Sequence, residues 1–189
     1  MVLAKKKAEP LPEPTPAVLD AAFEALYATE LAWVYRTLRR LGGRPADLED
    51  LTHDVFVAAY RALARFDPSR PVRPWLFGIA FRVVSDYRSR ARFFRESSLG
   101  ELEPASDPDT SPESALADAE SRALVLRALD TLPLDQRAVF VASEIDETSI
   151  ADLAEHLGLS VNTLYSRLRL ARARFAAAVK ALTEDGGRR

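Results

Sequence analysis

The stretch "SIADLAEHLGLSVNTLYSRLRLARARF", residues 149–175, restricts the fold more tightly than any other part of the chain. Ile150, Leu153, Ala154 and Leu157 recur at helical spacing and form one apolar stripe. Ser149, three residues before Asp152, predicts a capped helix start. Gly158 can adopt the left-handed conformation that ends a helix without a Cβ penalty. Ser160 is placed to cap the helix that follows. There Val161, Leu164, Leu168, Ala171 and Phe175 recur at spacings of 3, 4, 3 and 4, again one inward stripe. Small Ala154 lets the two helices cross closely. Two short helices joined by a tight glycine turn predict a helix-turn-helix, whose second helix enters a DNA major groove.

The outward face of that second helix fits this use. With Leu164 inward, Asn162, Tyr165, Ser166 and Arg169 point out, with Arg172 beside them. Arginine can bond guanine in bidentate fashion, asparagine adenine, and serine or tyrosine phosphate. Arg167 and Arg174 lie on a flank suited to backbone contact. Residues 160–175 hold four arginines and no acid, within a chain of formal net charge −2. Local charge, not the total, governs phosphate contact. The competing reading is a helical hairpin with a solvated cationic face.

The first half carries a second basic region. Residues 18–41 have helical periodicity, and Gly42-Gly43 supplies a stop. "PADLEDLTHDVFVAAYRAL" predicts another helix, with Leu51, Val55, Phe56 and Ala59 on its apolar face. The proline loop 66–74 leads to "PWLFGIAFRVVSDYRSRAR", where Pro74 suits a first helical turn and Leu76, Ile79, Ala80, Val83 and Tyr87 share one face. Opposite them Phe81 keeps company with Arg82, Ser85 and Arg88. Trp75 and Phe77 stand near Arg70 and Arg73. Between Arg70 and Arg95 there are seven arginines and one acid, Asp86. Arginine interleaved with aromatics suits single-stranded nucleic acid, whose bases stack on rings. The alternative for each ring is packing against a neighbouring helix.

Residues 96–114, "ESSLGELEPASDPDTSPES", lack a core pattern and read as a flexible acidic linker. From Glu96 to Glu120 there are eight acids and no basic residue. The reading is all-α, with two small helical domains on this tether: a disordered tail 1–16, a first domain 17–95, the linker 96–114, a second domain 115–183 and a tail 184–189. Pro133 opens a helix in the second domain. No cysteine is present, which excludes disulfides and thiolate metal sites. His53-Asp54 spells the pair used by metal phosphohydrolases, but His156 is the only other histidine, so neither a metal site nor a cofactor is expected. No catalytic constellation is visible, and no enzyme is expected. The start lacks an apolar run and no segment is long enough to span a bilayer, which points to the cytoplasm without membrane insertion.

Taken together, "DLEDLTHDVFVAAYRALARFDPSRPVRPWLFGIAFRVVSDYRSRAR" and "LRALDTLPLDQRAVFVASEIDETSIADLAEHLGLSVNTLYSRLRLARARF" resemble regions 2 and 4 of bacterial RNA polymerase sigma factors of the small extracytoplasmic-function class. The resemblance implies a subunit that binds core RNA polymerase and directs initiation at a specific set of promoters. It implies docking on the beta-prime clamp coiled coil through Asp50, Leu51, His53, Asp54 and Phe56, with the beta flap as a further contact. It implies that the melted minus-ten element is held as a single strand by Arg70, Arg73, Trp75, Phe77, Phe81, Arg82, Ser85 and Arg88. The minus-thirty-five element would be read as duplex by Asn162, Thr163, Tyr165, Ser166, Arg167, Arg169 and Arg172. The linker would run through the polymerase, and an anti-sigma factor is an expected partner. The chain departs from the family pattern at Tyr165, where a basic residue is usual, at Leu170, where arginine is usual, and at Asp146-Glu147-Thr148, where a glycine is common. The alternative is a free-standing helix-turn-helix regulator that binds duplex operators without polymerase.

Overall fold

The computed structural model describes the backbone of residues 15–97 and 114–186 and the side chains of residues 15–90 and 119–184. The expected linker and both tails therefore lie largely outside the described residues. Seven α-helices and no strand occur among the described residues: α1 (Pro16–Leu41), α2 (Leu48–Leu63), α3 (Val72–Ser97), α4 (Ser114–Asp130), α5 (Leu134–Phe140), α6 (Ile150–Leu157) and α7 (Val161–Gly186).

Local sequence sets the helix ends. Gly42 closes α1 at φ 102°, and the N–H of Gly43 reaches back to the Leu38 carbonyl at 2.9 Å. Gly158 closes α6 in the same manner at φ 67°, with Leu159 N–H on Ala154 at 2.9 Å. Both are left-handed caps that satisfy orphan carbonyls. Ser149 accepts from Asp152 N–H and Ser160 from Thr163 N–H, each at 3.1 Å, as their positions predict. Pro133 precedes α5 and supplies its start. Pro74 stands in the first turn of α3, as its third residue.

Helices α1, α2 and α3 pack together as the first module, with Val34, Leu38, Val55, Ala59, Leu76 and Ala80 wholly out of solvent. Phe56 sits in an aromatic group with Phe23 and Tyr27. Each fully buried leucine or valine contributes about 1.5–3 kcal/mol. In the second module α7 packs on α5, α4 and α6 through Leu164, Leu168 and Ala171. Phe140 stacks on Phe175 with ring centres 4.5 Å apart.

The two modules also pack on each other, so that one apolar cluster runs through both. Arg137, only 2% exposed, pins the junction. Its Nε donates to the Arg40 carbonyl at the end of α1, and Nη1 pairs with Asp130 at 2.8 Å. A guanidinium at a helix C-terminus is favoured by the helix dipole. Burial nevertheless lowers its pKa, and its Nη2 is buried without a partner. After α5 the chain widens into a π-helical turn, Val141–Ile145, which delivers Asp146 to α1. There Asp146 takes a hydrogen bond from Arg40 at 2.9 Å and a long one from Thr37 at 3.4 Å. Burial raises the Asp146 pKa despite Arg40.

Candidate nucleic-acid interface

Helix α7 presents the polar face that its sequence predicts. Leu164, Leu168 and Ala171 are buried, while Asn162, Tyr165, Ser166, Arg169, Arg172 and Arg174 are exposed. Tyr165 is 57% exposed, which leaves its hydroxyl and ring free for a ligand. The flanking cations are steadied from behind. Arg172 pairs with Glu144 at 2.7 Å and Arg167 with Asp135 at 3.3 Å. Such half-exposed pairs are worth little in stability. Thr163 is half-buried and tied to the Ser160 cap. Val161, expected inward, is 41% exposed because it occupies the first turn, beyond the reach of α6. Gly158 meets no neighbouring atom where a Cβ would stand, so the turn lies open.

The basic face of the first module is arranged differently. Phe77 is fully buried, and Phe81 and Trp75 are half-buried against the core. Trp75 packs on Phe66 at 4.7 Å. These three rings therefore serve packing in this arrangement, Phe77 completely. Burial of Phe77 and Val84 shows an apolar stripe on α3 wider than its sequence pattern suggested, because α3 is covered on two sides. Arg70 meets Glu155 at 2.5 and 2.6 Å through two nitrogens, and Asp152 lies 3.9 Å away. Arg73 pairs with Glu30 at 2.9 Å and lies over the Trp33 ring at 5.6 Å. Arg82 donates to the His156 carbonyl at 3.2 Å. Ser85 and Arg88 are half-buried. Farther along α3, Tyr87 donates to Asp47 at 2.6 Å, and burial with this carboxylate pushes its pKa up to about 12.

On α2, Asp50, His53 and Asp54 are exposed side by side, whereas Leu51 and Phe56 are buried in the module core. The first three form a surface; the other two hold it in place. Between α1, α2, α4 and the π-turn runs a largely apolar groove of about 1250 Å³. Tyr27, Leu31, Tyr35 and Val125 line it, with Arg36 and Arg39 at its edge. The sequence does not reveal this groove, because exposed apolar positions on α1 cannot be told from core positions by periodicity alone. Among the described residues no group of His, Asp or Glu is placed to hold a metal ion, and no helix is long and apolar enough to cross a membrane.

Comparison with known proteins identifies both modules. Residues 26–94 match sigma-70 region 2, and residues 122–175 match sigma-70 region 4. The RNA polymerase sigma factor CnrH of Cupriavidus metallidurans is 35% identical over 170 residues, covering 86% of this chain and 89% of the relative. The ECF sigma factor SigM of Mycobacterium tuberculosis is 32% identical over 155 residues, 82% of this chain and 76% of the relative. The structure of CnrH in complex with the cytosolic domain of CnrY superposes with a TM-score of 0.61 at 31% identity, over 86% of this chain and 90% of that one. The sigma factor RpoE of Bartonella quintana, solved with the anti-sigma factor NepR, gives 0.68 at 25% identity, over 84% and 97%. The chain belongs to the extracytoplasmic-function class of bacterial RNA polymerase sigma factors.

Proposed function

We propose that this chain confers promoter specificity on core RNA polymerase by gripping two promoter elements with separate helices. The outward face of α7 reads the minus-thirty-five element as duplex through Asn162, Tyr165, Ser166 and Arg169, with Thr163, Arg167 and Arg172 on the backbone. Helix α3 and the loop before it hold the melted minus-ten strand, with Arg70, Arg73, Arg82 and Arg88 on phosphates and Ser85 beside them. Of the aromatic residues, Trp75 and Phe81 are half-exposed and within reach of a flipped base; Phe77 supports the helix from below. The exposed group Asp50, His53 and Asp54 meets the clamp of the polymerase, on a helix positioned by Leu51 and Phe56. Residues 17–95 and 115–183 act as the two binding domains. Binding energy rather than bond chemistry drives melting, in a soluble cytoplasmic protein.

The observation that carries this reading is the exposed polar face of α7 beyond an open Gly158 turn, combined in one chain with an arginine-lined α3. The apolar groove beside α1 fits an amphipathic helix of an anti-sigma factor, whose acidic residues would meet Arg36 and Arg39. The RpoE relative, solved with NepR, supports such a partner. Gel shifts on promoter DNA test the reading. Sequence-specific retention that needs core enzyme supports it. Tight specific retention by the chain alone would instead identify a free-standing helix-turn-helix regulator.

A further inference from the structure

Two largely apolar side chains lie open to solvent at the start of α7, Val161 and Tyr165. A helix that enters the major groove places its base-contacting residues at this end. The two are four residues apart, so their Cβ atoms stand about 5–6 Å from each other on one side of the helix. Packing does not account for them, because the stripe of α7 that meets the core runs through Leu164, Leu168 and Ala171. Among the described residues nothing hydrogen-bonds to Tyr165 or stacks on its ring. The backbone beneath the pair is nevertheless held firmly. Ser160 accepts from Thr163 N–H at 3.1 Å, and the two hydroxyls meet at 2.8 Å. In the turn before, nothing lies within 4 Å of the place a Gly158 Cβ would take, which leaves this end open to a duplex.

Neither a valine nor the body of a phenol ring offers a hydrogen bond, so such a pair reads shape and hydrophobicity. The major groove exposes one apolar group on its base edges, the C5-methyl of thymine. We propose that Val161 and Tyr165 form a seat for that methyl, so that this chain requires thymine at a fixed place in its minus-thirty-five element. This rests on the promoter-binding reading above and names a base that the duplex must carry. Asn162, between them in sequence, offers the donor and acceptor that match adenine N6 and N7. The first turn as a whole is therefore suited to A·T pairs. Tyr165 is one of the departures of this chain from the family pattern, so the preference belongs to this chain.

Removing the methyl from the DNA tests the seat without altering base pairing. Duplexes retained by this chain with core enzyme are selected from a random-sequence library. The preferred minus-thirty-five element is then remade with deoxyuridine in place of each thymine singly. The expected result is one or two thymines whose replacement weakens holoenzyme binding about three- to fivefold, the effect of losing one buried methyl. Tyr165→Ala and Val161→Ala should each bring that ratio towards one, whereas Tyr165→Phe, which keeps the ring, should preserve it. Both positions are exposed, so these variants keep the fold. Equal binding of thymine and deoxyuridine at every position, or discrimination that survives in both alanine variants, would overturn the seat. Loss of discrimination in Tyr165→Phe would overturn it as well, by assigning the contact to the hydroxyl. Failure of the unmodified chain with core enzyme to retain any duplex selectively would instead bring down the promoter-binding reading beneath it.

Discussion

Glu147 holds a left-handed backbone, φ 52°, one residue after Asp146 takes the Arg40 guanidinium at 2.9 Å. It is the only non-glycine residue with positive φ among the described residues. The turn must double back from the π-helical segment so that Asp146 meets α1 and Ser149 can cap α6. A side chain in this conformation carries strain, which glycine would relieve.

Glu147→Gly should therefore stabilise the protein by about 0.5–1 kcal/mol, after allowing for the extra freedom glycine has when unfolded. Thermal unfolding by circular dichroism measures it. A lower midpoint would show that the Glu147 side chain contributes more than its backbone costs.

Arg137 joins the modules through the Arg40 carbonyl and Asp130. Arg137→Ala leaves that carbonyl without its donor and opens a cavity, and should cost about 2–4 kcal/mol. Arg137→Met, which fills the space without a charge to desolvate, should cost less. Urea denaturation of the three proteins checks the order. A loss below about 0.5 kcal/mol in the alanine variant would mean that the junction relaxes freely.

Arg169 is exposed on the outward face of α7. Arg169→Ala should weaken recognition of the minus-thirty-five element by about 1–3 kcal/mol and relax preference at one base position. Binding of the holoenzyme to a set of single-base variants decides this. A uniform loss on all of them would assign the residue to phosphate.

His156, at the end of α6, lies against Gly78 and Arg82 of α3 in the seam between the modules, where burial first and then Arg70 lower its pKa from 6.5. Arg82 acts in the same direction from α3, while Glu155 and Asp152 oppose it. A lowered value means that the opened form takes up the proton more readily. The seam is thus intact above pH 6.5 and weakens as pH falls from there. Dyes attached at Ser89→Cys and Thr183→Cys should move apart between pH 7.5 and 5.5. His156→Ala should remove that dependence, and a distance that ignores pH would contradict the assignment.

The helices and their caps were legible because each is local. Ser149, Gly158 and Ser160 declare their roles within four residues, and the 3, 4, 3, 4 spacing in α7 names its inward side. Long-range packing was not legible. Arg137 reads as an ordinary cation in "PLDQRAVF", and only the end of α1, almost a hundred residues earlier, explains its burial. Phe77 looked available for stacking because a second module covering α3 leaves no periodic signature in α3 itself. The clearest missed signal was Gly78 inside "WLFGIAF", a glycine where a helix has no local use for one. Leu51 and Phe56 lie in the core beneath the exposed Asp50, His53 and Asp54, because buried and exposed positions share one short stretch of helix.

Promoter opening tests the central claim most directly. Permanganate footprinting of a promoter that the chain retains with core enzyme in gel shifts reports unpaired thymines. The account predicts reactive thymines in the minus-ten element when this chain and core RNA polymerase are both present, and none with either alone. Protection of duplex DNA by the chain alone, with no reactive thymines after core enzyme is added, would contradict it.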